Sequence, residues 1–238
     1  MKHNFIFTYK KLEEQYRIAI DIGYHFLTCS QYFSPENVVS ENAIVNRVDI
    51  DFSIRKADRL RDMFDRLGIK ASFFVRLHAE EYNPFSFENY RILKSIKDSG
   101  HEIGYHSEVI DESVIWDEEA NACLKRDIDV LNKMLDIRIK GIASHGGMTS
   151  LNNLDFWQNK KMNDFGLDYE CYIGSIEKDL FNNSLYISDS EWTRWKCYKD
   201  GVLSINDCRS FGEHLKDRPK LIYLLIHPDT HFERHIYE

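Results

Sequence analysis

Six acidic or basic side chains stand where apolar runs of this sequence end. Asp49 and Asp51 close IVNRVDID, His106 and Glu108 follow GHEIGY, His145 follows GIAS, and His227 follows LIYLLI. Carboxylate oxygen with neutral imidazole nitrogen is a donor set that suits zinc, and also cobalt, nickel, manganese or iron. Asp49 and Asp51 are two residues apart, so in a strand they point to the same side. Two carboxylates facing the same way repel unless a cation or a proton intervenes. A divalent metal would hold one ionised and leave the other to accept a proton. The bland alternative has both capping the next helix near Arg55. His227, at the end of the most apolar run, would sit in a low-dielectric wall where an imidazole can act as general acid or base. The alternative is a buried histidine with a backbone partner. His145, in ASHGG, is open between metal ligand, substrate contact and turn residue. Asp189 and Trp192, in YISDSEWTRW, offer a carboxylate to orient a protonated base and a ring to stack on a sugar, or else a loop anchored by tryptophans. His101 reads as structural, on the opposite rim. His231 and His235 read as surface residues of a polar tail.

The elements that must position these groups alternate from residue 44 onward. Strands are expected at 44–51, 71–77, 101–105, 141–144, 169–173 and 221–226. Helices are expected at 55–67, 86–98, 117–135 and 152–165, with Ala57, Leu60, Phe64 and Leu67 on one face of the first at helical spacing. Gly68 and Gly100 stop the first two helices. Repeated strand–helix units with nearly continuous apolar strands argue for a parallel sheet, open or closed. In such folds ligands bind at the C-terminal ends of the strands, where the acids and histidines fall. Residues 1–43 read as a helical segment, with its helix at 10–20, packed on the barrel. The whole of 1–238 reads as one domain, without repeats or low-complexity tracts.

The bulk composition fits. The 238 residues are 43% hydrophobic and 29% charged, with a formal net charge of −8. A dispersed basic content and a negative balance argue against nucleic-acid binding, which needs clustered Lys and Arg. The five cysteines, at 29, 123, 171, 197 and 208, include no C-x-x-C pair. Reduced thiols and a cytoplasmic location are therefore expected. The beginning of the sequence has no apolar signal region, and no window approaches a transmembrane length.

The succession VDIDFS, KASFFVRL, GHEIGYHSE, ASHGG and LLIHP, spanning roughly residues 45–227, resembles the polysaccharide deacetylases. More narrowly it resembles the branch found in surface-polysaccharide biosynthesis, with motifs R-H-D-V-D and G-H-E-I-G-L-H. The resemblance implies a distorted (β/α) barrel of about seven strands and metal-dependent removal of an acetyl group from a sugar. It implies that Asp49 is the general base, Asp51 a metal ligand, His106 the first metal histidine, and His227 the histidine that protonates the leaving group. The sequence departs from the pattern at Ile110, where the family carries its second metal histidine, and at Val48, where it carries a histidine before the first aspartate. A third ligand then has to come from Glu108 or His145. The expected reaction is hydrolysis of an acetamido sugar, small or lipid-linked, in capsule or O-antigen synthesis, with a divalent metal, most simply zinc. The alternatives are a catalytically inactive barrel that binds a sugar or a partner protein, and a metal-dependent hydrolase of another amide bond.

Overall fold

A computed structural model describes residues 6–36, 39, 42–174, 178–235 and 237. In chain order its elements are α1 (Tyr9–Asp21), β1 (His25–Leu27), α2 (Cys29–Phe33), β2 (Ala43–Ile50), α3 (Ile54–Leu67), β3 (Ser72–Val75), α4 (Phe87–Asp98), β4 (Glu102–Ser107), α5 (Val109–Trp116), α6 (Ala120–Leu135), β5 (Gly141–Ser144), β6 (Tyr169–Glu170), β7 (Leu185–Ser188), β8 (Lys196–Lys199), β9 (Val202–Leu203), α7 (Phe211–His214) and β10 (Leu221–Ile226).

Seven strands run parallel in the order β6-β5-β4-β3-β2-β10-β7, and β8 and β9 extend the sheet antiparallel beyond β7. Every residue of β2 is buried, and so is all of β10 but its first residue, as strands covered on both faces must be. Alternation along the strands separates two cores. Ile44, Val48, Ile50, Phe73, Tyr105, Ile142, Ile187, Ile222, Leu224 and Ile226 face the helices. Val45, Phe74, Ala143, Tyr186, Tyr223 and Leu225 face inward, in a separate cluster with Cys29 and Cys171. An inward core fed by so many strands requires a curled sheet. Gly104 of β4 permits the curl to be filled, since a Cβ there would stand 2.3 Å from the Phe74 ring. Among the described residues no backbone ladder joins β6 to β7. Side chains bridge the gap instead: Tyr172, just past β6, places its hydroxyl 3.4 Å from that of Tyr186 in β7. The expected (β/α)-barrel-like sheet of seven parallel strands is thus present, and the tyrosine contact spans its open seam.

Several local expectations are corrected. Residues 1–43 supply more than a packed helix, because β1 pairs with the first half of β2. The helix expected at 117–135 is α6, at 120–135, and an additional helix, α5, precedes it and ends where Asp117 adopts a left-handed conformation. The helix expected at 152–165 is two short 3-10 turns, 153–157 and 162–165. No helix among the described residues is long and apolar enough to cross a membrane.

Candidate active site

The inward parity of the strands decides which groups meet. Residues 47 and 49 follow Val45 on the inner face of β2, 106 follows Gly104 on β4, 145 follows Ala143 past β5, and 227 follows Leu225 past β10. All converge on one mouth at the C-terminal ends of the parallel strands. The cavity there is about 410 Å³ and is lined by Asp49, Asp51, His106, His145, Trp192 and His227, among others.

Asp51, His106 and His145 bring one ligand atom each within 4.8 Å of one another. His106 is held in β4 with Nδ1 2.8 Å from the Ala143 carbonyl, a bond that only a protonated Nδ1 can make. Nε2 is then the nitrogen left to bind a cation or to carry a second proton, which the neighbouring carboxylates favour. It points at Asp51 Oδ1, 3.3 Å away, and at Asp49 Oδ2, also 3.3 Å away. Asp51 Oδ1 is buried and accepts no hydrogen bond. Lone pairs of nitrogen and oxygen facing each other in a buried site call for a cation or a proton between them. His145 sits on the edge of the same space, its ring 4.9 Å from that of His106. Its Nδ1 lies 3.2 Å from Glu108 Oε1 without a hydrogen bond between them. The donor set of two imidazoles and one carboxylate fits a divalent zinc-class ion.

Glu108 is placed behind this group rather than in the cavity. It is 2% exposed, and Arg76 grips its Oε1 through Nε and Nη2 at 3.0 and 2.7 Å. Arg76 also donates to the Asp51 carbonyl at 2.9 Å, so one guanidinium fixes both chain segments. The loop carrying His145 is held by Asp111, which accepts from the backbone N–H groups of Met148 and Thr149, from the Thr149 hydroxyl and from Asn153 Nδ2. Asn153 Nδ2 also donates to the His145 carbonyl. Gly147 is required in this loop, because a Cβ there would fall 1.6 Å from the Leu151 carbonyl oxygen.

Asp49 does not cap a helix, and neither does Asp51. The cap of α3 is Ser53, whose side chain accepts from the Lys56 N–H, while Arg55 pairs with Glu88. The neighbour that neutralises Asp49 is Arg47, two residues earlier on the same face. Its Nε and Nη2 donate to the two carboxylate oxygens at 2.7 and 2.6 Å. Arg47 is fully buried, bonded to the Tyr223 hydroxyl and lying over the Tyr172 ring at 4.6 Å. Burial works to raise the Asp49 carboxyl, but Arg47 and then His106 outweigh it and hold it below the ordinary range. Burial likewise opposes ionisation of Asp51, and the neighbouring histidines, His106 first, overcome it and keep it low.

His227 is built as a base-and-orienter pair. Asp189, fully buried, accepts from its Nδ1 at 2.6 Å and from its backbone N–H at 3.0 Å. Burial pushes the imidazole down, but Asp189 outweighs it and lifts it to about 9. Nε2 faces the cavity, 3.8 Å from Asp51 Oδ2. Asp189 therefore lies behind the cavity wall and does not line the cavity, whereas Trp192 lines it, edge-on to Phe52.

Two residues escaped the sequence reading. His231, expected at the surface, is fully buried and donates Nε2–H to Asp189 Oδ2 at 3.0 Å. The polar tail is drawn inward there because Phe232 pairs with the segment before α1. Arg47 was readable from its i−2 spacing to Asp49. His101 is structural as expected: Nδ1 accepts the Ala71 N–H and the ring packs edge-on against Phe73.

No protein-family model and no curated protein matches the sequence. Among solved structures, the chain is similar to the Streptococcus pyogenes deacetylase PplD in complex with acetate, at 17% identity and a TM-score of 0.43, over 56% of this chain and 61% of that one. It is similar to a family 4 carbohydrate esterase from Bacillus anthracis at 14% identity and a TM-score of 0.46, over 95% and 81% of the two chains. A CE4 family pseudoenzyme from the same organism gives 13% identity and a TM-score of 0.45, over 80% and 56%. The chain thus spans less than two thirds of the length of the first and third of these.

Proposed function

We propose that this chain is a metal-dependent hydrolase of the polysaccharide-deacetylase type, acting as one domain to remove the acetyl group from an acetamido sugar of a surface-polysaccharide precursor. The observation that carries the reading is the buried approach of His106 Nε2 and Asp51 Oδ1, beside His145, with Asp49 Oδ2 equally near. The ordered motifs around Asp49, His106 and His227 support the same reading.

Asp51, His106 and His145 would hold the ion, with Glu108 orienting His145 from behind. When bound, a zinc-class ion polarises an acyl oxygen and acidifies a water. Asp49, two residues before Asp51 on the same face, accepts the proton of the attacking water. Arg47 fixes its carboxylate in one plane and still leaves lone-pair capacity, since a carboxylate offers about four acceptor positions. His227, charged at neutral pH through Asp189, gives its Nε2 proton to the departing nitrogen. Trp192, edge-on to Phe52, supplies an aromatic edge for the sugar.

The test is acetate release from acetamido-sugar monomers, nucleotide sugars and oligomers by zinc- or cobalt-loaded protein. The expected result is turnover that Asp51→Ala and His106→Ala abolish together with one equivalent of metal. Absence of acetate release from every substrate, with unchanged metal content in Asp51→Ala, overturns the reading. A sugar-binding barrel without catalysis is the second reading, favoured by the bidentate hold of Arg47 on Asp49. It predicts sugar binding by calorimetry that neither chelator nor Asp51→Ala alters.

A further inference from the structure

Cys197, Asp207 and His214 lie apart from the chemistry above and come from β8, the loop after β9, and the end of α7. Sγ of Cys197 is 3.0 Å from Nε2 of His214, and that nitrogen is 3.6 Å from Oδ1 of Asp207. All three ligand atoms fall within 4.8 Å of one another. Zinc bonds of about 2.0–2.3 Å in a tetrahedron put neighbouring ligand atoms about 3.3–3.8 Å apart; the 3.6 Å distance falls within that spacing and the 3.0 Å distance a little below it. Cys197 and His214 are each 1% exposed. Arg209 grips Asp207 through Nε and Nη2 at 3.0 and 2.8 Å, an outer partner of the kind that orients ligating carboxylates. Asp207 and His214 also line a cavity of about 430 Å³ that includes Leu185 and Leu221, the first residues of β7 and β10. This is the rim opposite the candidate active site, and it gives an ion an access path.

We infer that Cys197, Asp207 and His214 form a second metal site, of the structural zinc class, independent of the one at Asp51. Binding releases one proton: the Cys197 thiol loses it to solvent, and the thiolate, the neutral imidazole and the carboxylate donate to the ion without any change of oxidation state. A water would fill the fourth position. Cys197 lies between Lys196 and Tyr198, both of which line the catalytic cavity. The ion would therefore pin from behind the strand that walls the substrate.

Cobalt loading of the whole protein tests this, because only a sulfur ligand gives a thiolate-to-cobalt charge-transfer band. The expected wild-type spectrum has that band, saturating at one equivalent. Asp51→Ala keeps it, Cys197→Ser loses it, and Asp207→Asn weakens cobalt binding at this site about tenfold or more. A folded, cobalt-loaded wild type without the band overturns the proposal, whatever happens to the variants. A band at full intensity in Cys197→Ser also overturns it. Failure of the Asp51 site alone would show differently, as one ion per chain with the band intact.

Discussion

Asp189 bonds His227 twice, through the ring Nδ1 at 2.6 Å and through the backbone N–H at 3.0 Å, and is itself fully buried. The carboxylate therefore fixes both where the imidazole stands and which nitrogen faces the cavity. Asp189→Asn keeps the shape and can still accept the backbone bond, but removes the charge that holds the imidazole up. The expected outcome is a fall in kcat of about 10²–10⁴-fold with metal content unchanged. Acetate-release kinetics alongside elemental analysis check it; loss of metal in parallel would assign Asp189 to the ion site instead.

Arg47 and Asp49 form a buried ion pair inside the barrel. Arg47→Met leaves a buried carboxylate without its guanidinium, which typically costs about 3–5 kcal/mol. Equilibrium unfolding in urea should show that loss. Arg47→Met with Asp49→Asn should recover much of it, because no uncompensated charge remains. Equal destabilisation in single and double variants would show that the packing of Arg47 on Tyr172, rather than its charge, is what matters.

That pair also marks where the sequence stops being legible. Two inward carboxylates on one strand demanded an intervening cation, and a metal was the cation expected. One of the two is answered from within the strand, by Arg47 at the i−2 position. The long apolar runs were easy: LIYLLI is β10 to the residue, because a strand buried on both faces leaves no polar interruption. The hairpin of β8 and β9 was hidden, since KCYK alternates only weakly and both residues of β9 are exposed. His231 was hidden because its burial comes from a contact between the two ends of the chain, which no local pattern encodes. Helix α5 was hidden because its end is marked by Asp117, not a glycine, in the left-handed turn.

Asp111 holds the loop that carries His145 through four donors. Asp111→Ala frees that loop without touching the cavity. Metal affinity at the Asp51 site should fall about 10–100-fold, the usual cost of removing an outer partner of a ligand. Competition against a chromophoric chelator measures it. Unchanged affinity would remove His145 from the ligand set.

His101 makes stability depend on pH. Burial, together with Lys70, lowers its ring to about 4 from an ordinary 6.5. The folded state therefore holds the ring neutral, with Nδ1 accepting the Ala71 N–H, where the unfolded chain would protonate it. The unfolded state binds more protons between the two values, so this group contributes stability that is present above pH 6.5 and is lost as pH falls toward 4. Urea midpoints of the wild type should drop across that window more steeply than those of His101→Gln, which keeps an acceptor but does not titrate. The two proteins should then converge at the acid end. Parallel pH profiles for the two would mean that the carboxylates alone set the acid limb and that His101 is not buried neutral.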